Sequence, residues 1–158
     1  MSEVDLQLDL PRFQTEIQIK QEAGKRWIWG IIRSKWLVLQ PEELVRQLLL
    51  QYLLLEAGVN KNRITVERGL SVNGLQKRCD ILIFDLEMQP WLLVECKAPK
   101  VRLNESVFHQ IARYNMELQV PYLLVSNGPQ AYCCEIDFSS KQFQFLSALP
   151  TFPNKPDQ

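Results

Sequence analysis

The sequence lacks the features of membrane proteins, secreted proteins and zinc or redox proteins. No apolar run approaches the roughly 20 residues that a membrane-spanning helix needs. The N-terminus is acidic and has no apolar segment like that of a secretory signal peptide. The four cysteines have no C-x-x-C spacing, and we interpret them as small core residues. We therefore expect a cytoplasmic protein with reduced thiols and no membrane partner.

An excess of charge is also missing, because 18 Lys and Arg residues balance 18 Asp and Glu residues. A neutral chain has no overall field that attracts a polyanion, so contact with nucleic acid requires a local surface or a partner. No P-loop motif, G-x-x-x-x-G-K-[ST], occurs, which disfavours a built-in helicase motor. What is present, 46% apolar and 23% charged residues, is typical of one globular domain.

The chain shows no internal repeat and no linker that would divide two domains. We predict a single domain over residues 1–149, with residues 1–25 as a peripheral N-terminal segment that contains one weak edge strand. Residues 150–158 carry three prolines and few apolar side chains, which predicts a disordered tail. The β-rich runs 26–33 and 35–39, separated by Ser34, predict a hairpin.

Two helices are expected. The first begins at Pro41 and runs to about Ala57, with Gly58 as its C-terminal signal. Its apolar positions nearly encircle it, so it is either buried or shared with a second copy of the chain. The second helix is capped by Asn104 and runs to about Leu118.

The remaining apolar runs predict strands. Asn73-Gly74 indicates a hairpin turn, and a polar turn at 86–89 joins two strands that we expect to pair in an antiparallel arrangement. The central strands have no strictly polar face, so both faces of the sheet should be covered. The pattern predicts an α/β sandwich with a central mixed sheet flanked by helices. The predicted strands are residues 63–68, 78–85, 91–97, 121–126, 131–136 and 143–146.

Charged side chains stand at the ends of the two central strands. Glu95 and Lys97 are two residues apart and share a face, which by itself indicates only a solvated strand end. Asp80, on the preceding strand, becomes a neighbour of Glu95 if a bulge or an uneven loop adjusts the register. Two adjacent carboxylates repel each other, and a divalent cation such as Mg²⁺ or Mn²⁺ relieves that repulsion. Lys97 would then stand where it could orient a water or stabilise charge on a phosphate.

The second helix offers an amide and a phenol. Gln110 and Tyr114 are four residues apart and lie on one helical face, so the first turns of this helix could bring them beside the strand end. Alone, this pair is more often a polar surface position and a packed tyrosine. The only histidine, His109, is more often a surface or packing residue than part of a site.

In this order, the motifs resemble the PD-(D/E)xK nuclease superfamily. They are most similar to the N-terminal nuclease domain of type I restriction enzyme R subunits and to small stand-alone proteins that carry it. The resemblance covers roughly residues 26–148 and implies a restriction-endonuclease-like sandwich. The stretches that carry it are Arg78-Cys-Asp80, Leu93-Val-Glu-Cys-Lys-Ala-Pro99 and Gln110-Ile-Ala-Arg-Tyr114, with Pro41-Glu-Glu-Leu-Val-Arg-Gln47 and Val120-Pro-Tyr-Leu-Leu-Val-Ser-Asn127 as flanking matches.

The resemblance implies a role for each motif residue. Asp80 and Glu95 would bind Mg²⁺ or Mn²⁺, and Lys97 would be the catalytic lysine. Gln110 and Tyr114 match the Q-xxx-Y motif, which supports the site and contacts DNA.

Two points stay open in this assignment. An acidic residue of the first helix would complete the site, and both Glu42 and Glu43 qualify by position. The proline that usually precedes the motif aspartate is replaced here by Cys79.

These observations give one leading hypothesis and one alternative. The first is a Mg²⁺-dependent DNA endonuclease that hydrolyses phosphodiester bonds by metal-activated water, acting with a separate motor or specificity subunit. The alternative is a catalytically silent nuclease-fold module that binds nucleic acid or a protein partner. A homodimer through the apolar first helix would place two sites for a double-strand cut.

Overall fold

Two β-sheets and two α-helices form the part of the chain that the computed structural model describes, residues 5–72 and 74–153. Two short 3-10 helices precede β1 and β4. The elements are a 3-10 helix at Leu10–Glu16, β1 (Ile19–Glu22), β2 (Lys25–Gly30), β3 (Lys35–Val38), α1 (Pro41–Leu55), a 3-10 helix at Lys61–Arg63, β4 (Ile64–Val72), β5 (Leu75–Phe84), β6 (Pro90–Cys96), α2 (Glu105–Met116), β7 (Tyr122–Ser126), β8 (Ala131–Asp137) and β9 (Gln142–Leu146).

The smaller sheet is an antiparallel meander in the order β1-β2-β3. The hairpin predicted from the tryptophan-rich runs is therefore confirmed, and the weak edge strand is β1. Ile28 is fully buried in β2, whereas Trp27 and Trp29 on either side of it are only half-buried. This alternation follows from the period of two along a strand and gives the small sheet one inner and one outer face.

The larger sheet has six strands in the order β4 to β9. All neighbouring strands are antiparallel except β6 and β7, which are parallel with Leu93 opposite Leu123. Parallel neighbours need a crossover connection, and α2 supplies it. The predicted mixed sheet flanked by helices is therefore confirmed.

Apolar side chains cover both faces of the six-stranded sheet. Alternate residues of β6 enter different clusters: Leu92 and Val94 pack with α1, whereas Leu93 packs with Phe108 and Ala112 of α2. The four cysteines are free and buried in these clusters, as predicted for small core residues. Asp80 lies within β5, and Glu95 is the last residue but one of β6.

The N-terminal segment differs from its prediction as peripheral. Leu6, Leu8, Leu10 and Phe13 are buried and belong to the cluster that contains α1. The backbone N–H of Leu6 also donates a hydrogen bond of 2.7 Å to the carbonyl of Ala131 in β8. The segment buries apolar surface of α1, so a second copy of the chain is not needed to explain why that helix is apolar on most sides.

The predicted disordered tail also needs correction where the structure describes it. Phe152 is buried, with its ring centroid 5.2 Å from that of Trp91 in an edge-to-face contact. One aromatic ring anchors this stretch despite its prolines, because burying a phenylalanine contributes about 1.5–3 kcal/mol. Residues 154–158 of that prediction, and Asn73 of the predicted turn, lie outside the described residues.

The helix boundaries agree closely with their signals. Pro41 starts α1, and Gly58 beyond its end has the positive φ of 71° that glycine tolerates. The side chain of Asn104 accepts a 2.9 Å hydrogen bond from the N–H of Val107 and caps α2. Among the helices that the structure describes, none is both long enough and apolar enough to cross a membrane.

Candidate active site

The pairing of β5 with β6 brings Asp80 and Glu95 to equivalent positions. Ile81 pairs with Val94, and the same register continued by one residue places Asp80 opposite Glu95. The register shifts between Ile83 and Phe84, which is the irregularity the sequence required for the two acids to become neighbours. Asp80 and Glu95 therefore lie at the same level of adjacent strands, although their carboxyl groups contact different neighbours.

The Asp80 carboxylate is fixed by the backbone of β6. Its Oδ2 accepts a hydrogen bond of 2.7 Å from the N–H of Cys96. It lines a small cavity of about 190 Å³ together with Cys96 and four residues of α1 and the preceding turn. The backbone hydrogen bond favours the ionised carboxylate, but burial outweighs it and raises the pKa of Asp80.

Glu95 faces a different neighbour. Its side chain is only 7% exposed, and its Oε1 lies 2.9 Å from Nζ of Lys77 in β5. That oxygen accepts no hydrogen bond of good geometry, so the attraction between the two charges holds the pair. Nζ of Lys77 also lies 5.0 Å from the ring centroid of Tyr114, which gives a cation–π contact with α2. Lys77 thus links Glu95 to Tyr114.

The two glutamates at the start of α1 have different surroundings. Glu43 accepts hydrogen bonds from Nε of Arg46 at 3.0 Å and from Nε2 of Gln47 at 2.9 Å. Glu42 lines the Asp80 cavity, and burial followed by repulsion from Asp80 raises its pKa, while Lys97 acts in the opposite direction. Of the two glutamates, Glu42 is therefore the one whose pKa is influenced by Asp80 and Lys97.

Arg46 connects α1 to the edge of the sheet. Its guanidinium bonds to the carboxylates of Glu43 and Glu67 and donates to the carbonyl of Asp80 at 3.4 Å. Glu67 has a φ of 56° in β4, at the position skipped between the pairs Val66 with Ile81 and Arg68 with Cys79. A non-glycine residue in this conformation is strained and is characteristic of functional sites.

The remaining predicted site residues, Lys97, Gln110 and Tyr114, do not all lie in one place. Lys97 follows β6, and its backbone N–H donates to the carbonyl of Ser126 at 2.8 Å. Tyr114 lies near the C-terminal end of α2, not in the first turns, and Gln110 lines a surface depression that includes none of the other predicted site residues. His109 packs on Phe143 with ring centroids 4.8 Å apart, as expected for a packing residue.

The site concentrates carboxylates that are costly to ionise. The pKa of Glu95 is raised by burial, against the effect of the Lys77 ammonium, and Asp80 raises it further. The pKa of Lys77 is raised as well, because its pairing with Glu95 outweighs burial. Asp80, Glu95 and Glu42 therefore all have raised pKa values, and they would gain from a nearby cation.

The donor set fits a hard divalent cation. Mg²⁺ prefers oxygen ligands, keeps several waters and is usually held by one or two carboxylates. Asp80 and Glu95, with Glu42 nearby, supply oxygen donors. Over residues 5–72 and 74–153, no group of three or more His, Cys, Asp and Glu side chains is already arranged around a metal position. Glu95 would have to turn from Lys77 to serve as a ligand.

Sequence reasoning missed Lys77, Arg46 and Glu67. Lys77 is three residues before Asp80 on the same strand, so the sequence could have indicated that it lies near the site. The sequence could not indicate that its partner is Glu95. Arg46 is four residues after Glu42 on α1, and this helical spacing could have indicated it. No sequence pattern indicated Glu67, because its position depends on an irregular backbone in β4.

This geometry defines the class of protein. It is an α/β sandwich whose mixed six-stranded sheet carries Asp80 within β5, Glu95 near the end of β6 and Lys97 just after it. The chain belongs to the family described as type I restriction enzyme R protein N terminus (HSDR_N), whose sequence model matches residues 41–150. The sheet formed by β1, β2 and β3 precedes the matched region.

A solved structure is also similar to this chain. It is described as the fragment structure of an HsdR subunit of a type I restriction enzyme from Vibrio vulnificus YJ016, with 24% identity and a TM-score of 0.47. The match covers 71% of this chain and 24% of that chain, so this chain spans about a quarter of its length. No curated protein matches the sequence significantly.

Proposed function

We propose that this protein is a divalent-metal-dependent DNA endonuclease. The observation that carries the proposal is that two acids lie on the paired strands β5 and β6: Asp80 lines a cavity with Glu42, and Glu95 is buried two residues before Lys97. Membership of the R protein N-terminal family supports a nuclease-like module. Such carboxylates are too costly to bury for packing alone, which favours a role in chemistry.

Each residue has a role in this proposal. Asp80 is held by the Cys96 N–H and offers its other oxygen to a cation, and Glu95 offers a second carboxylate. Burial raises the pKa of Glu42 and of Glu95, and the charge of Lys97 offsets part of that rise in both. Its ammonium could orient a water or stabilise phosphate charge. Tyr114 positions Lys77 through its ring.

Mg²⁺ or Mn²⁺, when bound, would supply a Lewis acid that activates water and neutralises phosphate charge. Glu42, not Glu43, is the acid of α1 that we assign to the same site, because Glu43 is bonded to Arg46 and Gln47. Gln110 is assigned to DNA contact outside the cavity, since it is exposed on α2.

The test compares purified wild type with Lys97→Ala on linear, nicked and single-stranded DNA, with Mg²⁺ and with Mn²⁺. We expect Lys97→Ala to reduce cleavage by about 100-fold or more, the size typical of losing one charge-stabilising group. Lys100→Ala, an exposed lysine three residues away, is the matched control and should cut like wild type. Equal cleavage by wild type and Lys97→Ala would contradict the assignment.

Calorimetric titration with Mn²⁺ separates an active site from a silent module. Asp80→Asn keeps an oxygen that can accept from the Cys96 N–H but removes the charge, so Mn²⁺ binding should be lost while the fold is retained. If wild type itself binds no Mn²⁺ and cuts no DNA, the catalytically silent module becomes the better description.

The partners and the compartment belong to the same proposal. We propose that the protein acts in the cytoplasm, because its four buried thiols are free. A separate motor or specificity subunit would deliver the DNA. Co-purification of a complex, or stimulation of cleavage by such a subunit, would test this part.

A further inference from the structure

The three-stranded sheet has an outer face that neither hydrophobic cluster uses. We call it the tryptophan face and define it by the side chains of Lys20, Glu22, Lys25, Trp27, Trp29 and Trp36. Across the strands, Lys20 is opposite Trp27, and Trp29 is opposite Trp36. Along β2, Lys25, Trp27 and Trp29 occupy every second position and therefore point to the same side. Residues at these positions share one face of a sheet. Within residues 5–72 and 74–153, the two core clusters include none of the three tryptophans.

The rings of this face are held in place without being covered. Trp29 and Trp36 form an edge-to-face pair with centroids 5.2 Å apart, and Nζ of Lys20 lies 4.7 Å from the centroid of Trp36. All three rings are half-buried, whereas Ile28 between Trp27 and Trp29 is fully buried on the inner face. Half-exposed aromatic rings with fixed orientations are suited to stacking against a flat ligand.

The local charge identifies the chemistry of that ligand. Between residues 19 and 38 there are five basic side chains and one acidic one. Lys20, Lys25 and the acid, Glu22, lie on the tryptophan face, where Glu22 pairs with Lys20 at 2.9 Å, and the other three basic residues lie on the other face or in the β2–β3 turn. The segment therefore carries a net charge of 5 − 1 = +4, and the rest of the chain carries 13 − 17 = −4. A polyanion would be repelled by most of the molecule and attracted to this sheet.

The sheet that carries the tryptophan face is joined to α1, the helix that lines the candidate active site. The backbone N–H of Ile31, just after β2, donates to Oε1 of Gln47 at 3.2 Å, and Gln47 bonds to Glu43. Glu67 lines the cavity, and burial raises its pKa, but Arg46, Arg78 and Arg33 of the β2–β3 turn together lower it.

We propose that the tryptophan face binds single-stranded DNA, stacking unpaired bases on its tryptophans while its lysines contact the phosphates. Base stacking on aromatic side chains is sequence-tolerant, and lysines beside the rings neutralise the backbone. A duplex is a poorer ligand, because its bases are already stacked and paired. This inference deepens the proposed nuclease by naming the strand state of its substrate, and the sheet lies before the region that the family model matches.

The test is a fluorescence titration in EDTA with a short oligothymidine strand. Three of the four tryptophans lie on this face, so binding should quench most of the emission. Trp27→Leu should weaken binding about tenfold or more, the size of losing one stacked base. Lys25→Glu should weaken binding and lower the slope of log K against log salt by about 0.7. Lys141→Glu, exposed in the β8–β9 turn, is the control and should bind like wild type.

Several results would overturn the inference. These are equal binding by wild type and Trp27→Leu, equal affinity for the duplex of the same sequence, or quenching that follows self-association measured by light scattering. Lys25→Glu changes an exposed side chain, so it keeps the test decisive if Trp27→Leu does not fold. Asp80→Asn separates the two proposals, since it should abolish cleavage and still bind the strand.

Discussion

At the scale of single residues, the position of Lys77 decides how the buried acid Glu95 is tolerated. Leaving a carboxylate in a site that is 7% exposed is costly unless a cation compensates it, and Lys77 supplies that charge at 2.9 Å. The same ammonium therefore competes with any divalent cation for Glu95. The sequence motifs predict a role for Lys97, but they do not indicate this second lysine.

We expect Lys77→Met to destabilise the metal-free protein by about 3 kcal/mol at neutral pH, because it leaves Glu95 buried without a partner. Adding Glu95→Gln to Lys77→Met should restore part of that loss. Urea unfolding of both single variants and the double variant gives the coupling energy. Lys100→Met, at an exposed turn position, should leave stability close to wild type. Strict additivity of the two single changes would show that the pair does not couple.

At the scale of elements, one arginine fastens α1 to the sheet. Arg46 is 10% exposed and bonds to Glu43 on its own helix, Glu67 of β4 and the carbonyl of Asp80 in β5. Burial opposes its charge, but the two carboxylates outweigh burial and raise the pKa of Arg46 above its usual value. The helix thereby holds both the strained Glu67 and the strand that carries Asp80.

Arg46→Met should lower the free energy of unfolding by about 3–5 kcal/mol, the usual result of breaking a buried ion pair on one side. Glu56→Gln is the comparison, since it removes an exposed pair with Arg12 at 3.8 Å and should cost about 1 kcal/mol or less. Both values come from urea unfolding monitored by circular dichroism. Similar losses in the two variants would mean that Arg46 is not a buried connection.

The elements themselves could be predicted well from the sequence, for reasons that are local. Pro41, Gly58 and Asn104 are boundary signals that act within a turn or two of the helix. Arrangements that depend on distant residues could not be predicted. The burial of Phe152 needs Trp91, and the unusual backbone of Glu67 needs both Arg46 and the skipped pair opposite Asp80.

In the candidate site, too, some features could be predicted from the sequence and others depend on distant residues. Asp80, Glu95 and Lys97 were proposed from the order of the motifs, which is a sequence property, whereas the register that relates the two acids depends on the shift between Ile83 and Phe84. The choice of Glu42 over Glu43 was not predictable, because it depends on which glutamate Arg46 binds.

At the scale of the whole molecule, the buried carboxyl groups of the site make the stability of the fold depend on pH. Asp80, Glu95 and Glu42 all have pKa values raised chiefly by burial, so the folded protein holds protons that the unfolded chain releases. Stability in EDTA should therefore fall as pH rises from about the ordinary carboxyl range near 4.5 through the raised pKa values, and level off above them. Asp80→Asn should make this dependence shallower and be more stable than wild type at neutral pH.

Mn²⁺ should reverse the trend, because it binds the ionised carboxylates and its stabilising effect grows as they lose protons. Urea unfolding between about pH 5 and 8, with EDTA and with Mn²⁺, measures both curves above the ordinary carboxyl range. Glu87→Gln, which removes an exposed carboxylate from the β5–β6 turn, is the charge-matched control and should follow wild type. A metal-free protein whose stability rises with pH across this range would contradict the raised pKa values. An effect of Mn²⁺ that is the same at every pH would show that the cation binds somewhere other than these acids.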